Sequence, residues 1–256
     1  RGLFGVRDDE QGALPDSHED VWKNVDFLRL KDFALHLLDP RPDMKVFDAG
    51  CASGAQMIYC GLQGAAVYGQ DLDPVSVAMT NEKIAHLGLV GEAKIGDARK
   101  LKWDDNTFDA VLSSDFHEHL ALVDQPLVLA EIRRVLKPGG RLVLKTPNLR
   151  YLTLSLYYKR FRALLAGRSP RGFVIPATPG TAYPEHIGLT THARLACHLT
   201  EAGFQNWRWH HPPLRRFGNH RGLDILSSEV PGLRDWLTED LVCEAWKPVA
   251  LSHFPD

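Results

Sequence analysis

Val46-Phe47-Asp48-Ala49-Gly50-Cys51-Ala52-Ser53-Gly54 is the stretch on which the fold of this chain turns. The apolar start reads as a short buried strand, the small residues as a tight turn, and a helical pattern opens at Ala55. Glycines at 50 and 54 permit positive φ and remove Cβ atoms that would hold a ligand away from the backbone. A strand–turn–helix of this kind is expected to point free N–H groups and the positive helix end at a bound group.

The same unit repeats downstream. Ala66 to Asp71 reads as a second strand ending in an acid, 21 residues after Gly50. Asp73-Pro74 opens a helix, with Asp73 as N-cap and Val77, Ile84 and Leu87 facing inward, and Gly88 closes it. Ala93 to Asp97 reads as a third strand and Phe108 to Ser113 as a fourth, apolar enough for the middle of a parallel sheet. Pro126 to Leu136 is helical, Lys137-Pro138-Gly139-Gly140 breaks it, and Arg141 to Thr146 is the fifth strand. Alternating strands and helices predict a parallel sheet with right-handed crossovers, and ligands of such sheets sit at the carboxyl ends of the strands. Asp71, Asp97 and Ser113 to Asp115 all fall at such ends, beside the loop after Asp48. That convergence points to a nucleoside-like ligand. Asp71 suits the two ribose hydroxyls, because a carboxylate offers two acceptor oxygens to a vicinal diol. With Asp73 as the cap, Asp71 is expected to be free for that role.

The flanks are less regular. Residues 1–20 are polar, and Val21 to Leu38 has helical periodicity ended by Pro40 and Pro42. A basic, aromatic-containing helix is expected over roughly 150–166, a helix over Thr191 to Ala202, and strands over Phe204 to His211 and Leu241 to Trp246. The 212–240 excursion is long for a compact domain. The chain has 256 residues with 44% hydrophobic content, so it can bury a large core. Four cysteines without a CxxC pair fit reduced thiols, and no apolar run approaches 18 residues, so a cytoplasmic location is expected. Net charge is −2, yet Ile132 to Tyr183 holds eleven Lys or Arg and no acid. That segment can receive an anionic substrate or rest on anionic lipid through residues 150–171. Nucleic acid is a poorer fit, with the basic residues confined and the pI about 6.7.

The Asp48 to Gly54 loop resembles the first motif of the class I S-adenosylmethionine (SAM)-dependent methyltransferases, with Ala52 where most members have glycine. Gly96-Asp97-Ala98, Leu136 to Gly140, Thr146-Pro147-Asn148, and Glu185-His186 through Leu195 to Glu201-Ala202-Gly203-Phe204 are similar to later motifs of that family. The resemblance covers about residues 43–148 and 185–247, and is closest to ubiquinone-biosynthesis and natural-product O-methyltransferases. It implies an α/β, Rossmann-like, doubly wound sheet of seven mostly parallel strands with helices on both faces. It implies SAM as cofactor and S-adenosylhomocysteine as product. The cofactor residues would be Asp48, Gly50, Cys51, Ser53, Gly54, Asp71, Leu72, Asp97, Ala98, Ser113 and Asp115. Asp97 would accept from the adenine amino group and Leu72 would pack on its face. An NAD enzyme is the nearest rival, but a G-x-G-x-x-G count from Gly50 meets alanine at 52 and 55. The implied organisation is an N-terminal segment with a cap helix (1–40), a SAM-binding core (41–148), a lid or substrate insertion (149–190) and the remaining core (191–256).

The fourth strand leads into Ser114-Asp115-Phe116-His117-Glu118-His119, where this family meets its substrate. Asp115 and Glu118 have capping-box spacing. His117 and His119 lie about 200° apart on a helix, so they cannot share a face, and no metal site is expected from them. They are candidate general bases, with His186 a third beside the lid, because imidazole titrates near neutral pH. The expected reaction is methyl transfer to a small molecule or glycan, a hydroxyl preferred. An N-methyltransferase and a non-catalytic SAM- or glycan-binding module are the alternatives. The acceptor itself and the oligomeric state have no motif.

Overall fold

The computed structural model describes residues 33–175, 185–212, 230 and 232–249. The expectations for 1–20, for the first part of the Val21 helix and for most of 212–240 lie outside these residues. The chain divides into two compact units. Of the described residues, one comprises 33–113, Glu131–Val143 and 245–249, the other Ser114–Ala130, 144–175, 185–212, 230 and 232–244.

In chain order the elements are α1 (Phe33–Leu38), β1 (Lys45–Ala49), α2 (Ala55–Leu62), β2 (Ala66–Asp71), α3 (Pro74–His86), β3 (Gly91–Ile95) and β4 (Phe108–Ser114). A 3-10 turn (His117–His119), α4 (Gln125–Val135), β5 (Leu136–Pro147), α5 (Leu149–Leu165), α6 (His192–Glu201), β6 (Asn206–His210), α7 (Arg234–Leu237) and β7 (Asp240–Trp246) follow. The seven strands form one sheet in the order β3-β2-β1-β4-β5-β7-β6. β1 runs parallel to β2 and β4, and β2 to β3. β7 runs against β5: Gly139 N–H bonds to Lys247 O at the start of β5, and Asn148 N–H bonds to Glu239 O at its end. The mostly parallel seven-stranded sheet is the expected architecture.

In the first unit both faces of the sheet are covered. Val46, Val67, Ala110, Leu112 and Val143 pack with Leu35, Leu38, Met57, Ile58 and Ile84 in one apolar cluster. On the alternate register Phe47 stacks on Phe108 at 5.0 Å, and Trp103 sets its edge against both rings and Tyr68. This two-sided burial is why these strands read as near-continuous apolar runs. α3 starts where local chemistry dictates. The Asp73 carboxylate accepts from Val75 and Ser76 N–H at 3.1 Å, and Gly88 closes the helix at φ 63°.

Several boundaries differ from expectation, among them β6, which starts at Asn206 rather than Phe204, β5 and β3. β5 begins at Leu136, so Lys137-Pro138-Gly139-Gly140 lies inside the strand rather than breaking the chain before it. Lys247 pairs with Gly139 and Gly140 through two 2.9 Å backbone bonds, while its Nζ holds the Leu136 carbonyl at 2.8 Å. β3 spans Gly91–Ile95, two residues earlier than expected, leaving Asp97 in the following turn. Gly91 sits at φ 143° so close to the Val67 carbonyl that a Cβ would overlap it.

In the second unit Asn148 caps α5 by accepting from Arg150 N–H at 3.0 Å, and its amide donates to the Asp235 and Thr238 carbonyls. α5 packs on α7 yet leaves Leu154, Tyr157, Tyr158, Phe161, Leu164 and Leu165 exposed. Those positions follow i, i+3, i+4 spacing and form one stripe, with Arg162 at its border. Tyr151, Leu154, Tyr158, Lys159, Arg162 and Phe173 line a cavity of about 850 Å³ there. Among the described residues no helix is long and apolar enough to cross a membrane.

Candidate active site

In the first unit the ends of β1, β2 and β3 are level, because Ala49 pairs with Gln70 and Asp71 with Ile95 in parallel register. The loop after β1 is held by its own groups. Gly50 and Cys51 N–H donate to the Gln70 carbonyl, Gly54 N–H to the Cys51 carbonyl, and Ala52 N–H to Asp71 Oδ2 at 2.9 Å. The expectation that these N–H groups would be free for a ligand is therefore corrected at all four positions. From the other side Thr80 Oγ1 donates to the Ala52 carbonyl and Lys83 Nζ to the Ser53 carbonyl, at 2.9 and 3.0 Å. Gly54 is required twice over: its φ is 81°, and a Cβ would strike the Thr80 side chain. Ala52 adopts φ 42° without being glycine.

Asp71 is not free, contrary to expectation. Its Oδ1 accepts from Asp73 N–H at 2.9 Å, so one carboxylate ties the glycine loop to the loop after β2. Each oxygen keeps a further lone pair for a hydroxyl. Between these anchors Leu72 is 70% exposed, an apolar side chain held in the open. Asp48 is buried at the end of β1, and Cys51 is buried beside Gly69. Burial, with the charges of Asp48 and Asp71 adding to it, pushes the Cys51 thiol far up and makes it a poor nucleophile. Asp97 lies in the turn after β3, where the Arg99 guanidinium bonds its carboxylate at 2.6 Å and holds it below the usual carboxylate range. Ala98 beside it is buried, as is Ser113 at the end of β4.

Gln70 escaped the sequence reading. Its buried amide donates to the Asp97 and Lys100 carbonyls and accepts from Lys102 N–H, so it sets the Asp97 turn. The signal was a polar side chain within an otherwise buried strand. Thr80 and Lys83 gave a similar one, polar residues on the inward face of α3. An adenosyl group fits this rim: a carboxylate with a lone pair to spare on each oxygen, an exposed apolar face and two buttressed loops lie together at the strand ends.

In the second unit the turn after β4 is built differently from the expected capping box. Asp115 has φ 53° and pairs with Lys145 at 2.7 Å, while no side chain caps the His117–His119 turn. Glu118 instead points inward and accepts from Thr146 Oγ1 at 2.8 Å, and burial pushes its carboxyl up to about 7. His117 and His119 do face opposite ways. His117 is 1% exposed, and burial pushes its imidazole down to about 3, so it stays neutral and out of reach of a substrate proton. His119 is exposed and meets His186 edge-on, with ring centroids 4.8 Å apart. Burial lowers the His186 imidazole first, and the neighbouring His119 adds to it. One ligand-type atom from each of Glu118, His119 and His186 lies within 4.8 Å of the others.

Residues 47–144 match the family described as "Methyltransferase domain". Sterol 4-C-methyltransferase strm-1 of Caenorhabditis elegans is 31% identical over 119 residues, 44% of this chain and 35% of that protein. Tocopherol O-methyltransferase of Arabidopsis thaliana is 33% identical over 105 residues, 40% of this chain and 30% of that protein. The chain thus spans about a third of the length of these relatives. A solved SAM-dependent methyltransferase from Methanosarcina mazei aligns at a TM-score of 0.56 and 22% identity, covering 85% of this chain and 99% of that one, which shows the shared fold. Residues 47–144, with the glycine loop and the Asp71 anchor, are thus similar to methyltransferase domains, and the sheet around them has the fold of a solved SAM-dependent methyltransferase.

Proposed function

We propose that the chain transfers the methyl group of SAM to a hydroxyl oxygen of a small-molecule or glycan acceptor. The observation that carries this reading is the level rim of β1, β2 and β3, where Asp71 secures two loops and leaves Leu72 open between them. On it, Asp71 takes the ribose diol, Leu72 the adenine face, Asp97 and Ala98 the adenine edge, and Asp48, Gly50, Cys51, Ser53 and Gly54 the amino-acid end. Ser113 borders the cofactor from the end of β4 in the same unit. The bound cofactor supplies a sulfonium methyl group. Held by those residues, SAM would give its methyl group to the acceptor oxygen and leave as S-adenosylhomocysteine, and the hydroxyl would give up its proton. Positioning of this kind supplies roughly 7–11 kcal/mol in favourable systems.

Oxygen is preferred over nitrogen because a hydroxyl acceptor must lose its proton early. The second unit gathers Glu118, His119 and His186, groups able to manage that charge. His117 drops out as a base because it is buried. The α5 stripe with Lys159, Arg162, Arg168 and Arg171 supports an anionic, partly apolar acceptor in the adjoining cavity. The same stripe supports a peripheral contact with anionic lipid through residues 150–171. Four cysteines outside any disulfide support a reducing, cytoplasmic setting.

Calorimetric titration with SAM and with S-adenosylhomocysteine tests the core of the proposal. Heat from both is expected, with at least tenfold weaker binding after Asp71→Ala. A folded protein that gives no heat with either removes the reading. Release of S-adenosylhomocysteine with hydroxyl acceptors but not amines then separates oxygen from nitrogen. Sedimentation with anionic vesicles, lost on Phe161→Asp, tests the lipid contact.

A further inference from the structure

We propose that Glu118, His119 and His186 bind a divalent transition-metal cation. The donor set is two imidazoles and one carboxylate, a combination that recurs at catalytic zinc and non-haem iron sites and leaves coordination positions open. Bonds to such ions run about 2.0–2.2 Å, which places neighbouring ligand atoms about 3–4 Å apart around the metal. The three ligand atoms lie within 4.8 Å of one another here, so small rotamer changes close the shell.

Contacts that involve no ion already hold the ligands in place. Thr146 Oγ1 bonds the Glu118 carboxylate at 2.8 Å and orients it, as outer-shell groups do at metal sites. Gly188 N–H donates to the Glu118 carbonyl at 2.8 Å, and Gln125 Nε2 bridges the His117 and Gly188 carbonyls. Gly188 is so close to the Leu120 carbonyl that a Cβ would collide with it. Thr190 continues the alignment through its bridge with Asn148. The chain around His186 is therefore docked on the turn that carries Glu118 and His119. His186 comes 67 residues after His119, which is why no local spacing disclosed the set.

A second cluster of ligand type, His192, His211 and Asp235, is a poorer site. Its two imidazoles stack nearly parallel, at 21° with centroids 5.6 Å apart, and His192 and His211 lie 3.9 and 3.5 Å from the Asp235 carboxylate. Two arginines, Arg150 and Arg234, impose positive charge there against one carboxylate, Asp235, whereas near Glu118 the one cation, Lys145, is paired with Asp115 at 2.7 Å.

The ion binding stands apart from the methyl-transfer reading. Only its use rests on that reading: an open position holding the acceptor hydroxyl would lower its pKa, as a bound cation does for water. The test uses the whole chain, stripped with a chelator and dialysed, then titrated separately with Zn²⁺ and Mn²⁺ and analysed for bound metal. One equivalent of at least one ion is expected, weakened at least tenfold in both His119→Ala and His186→Ala, with circular dichroism unchanged. His119 is exposed, so its variant is expected to fold even if His186→Ala does not. Absence of a stoichiometric ion, or equal binding in a folded His119→Ala, overturns the proposal. SAM titrations on the same stripped protein keep the two readings apart: heat with SAM but no metal binding sinks the site alone.

Discussion

At residue 52 the chain carries a left-handed alanine in a loop that otherwise uses glycine for that purpose. The left-handed conformation costs an L-residue roughly 1–2 kcal/mol, and the extra freedom of unfolded glycine offsets part of the relief. Ala52→Gly is therefore expected to stabilise the protein by about 0.5–1 kcal/mol, read from urea midpoints at constant m-value. Asp71 works in the opposite direction. Asp71→Ala leaves the Ala52 and Asp73 N–H groups without their acceptor, a loss of about 1–3 kcal/mol, while Asp71→Asn keeps one carbonyl and loses less. The two kinds of residue differ in how visible they were. Asp73 and Gly88 were legible because a cap and its N–H groups lie within three residues of each other. Glu118 was misread as part of a capping box because its partner, Thr146, stands 28 residues away.

Among the elements, the type of each was legible and the edges were not. β3 begins at Gly91 and β5 at Leu136 because partner strands extend the pairing past Gly and Pro, and partners are not local information. Gly91→Ala would force the new methyl into the Val67 carbonyl and strain a φ of 143°. It is expected to cost more than about 3 kcal/mol and to release β3, seen as lost protection at residues 91–95. Asp73→Ala removes only the cap of α3 and should cost about 1 kcal/mol. If the two variants are equally destabilised, the close approach of β2 and β3 is not what holds the edge.

For the molecule as a whole, acid sensitivity follows from buried imidazoles. His192 is 6% exposed, packed against Trp209 and His211 with Asp235, Arg150 and Arg234 around it. Burial lowers its pKa to about 4, further assisted by His211 and the two arginines and opposed by Asp235. The unfolded chain takes up a proton near the ordinary histidine value of about 6.5, and the folded chain does not. This stability is fully present above about pH 6.5 and is lost as pH falls toward 4. A melting temperature that drops over that range, and drops less in His192→Gln, is the expected result. A flat profile in the parent protein would contradict it. The parallel sheet and the level ends of its strands were legible from alternating patterns, whereas the union of residues 118, 119 and 186 needed the folded chain.

The self-satisfied loop after β1 has one more consequence. Because Gly50, Cys51, Ala52 and Gly54 already donate their N–H groups within the protein, the turn does not wait for a ligand to give it shape. Those four amides should exchange slowly with deuterated solvent even without cofactor, and SAM should arrive at a preorganised seat rather than fold one around itself.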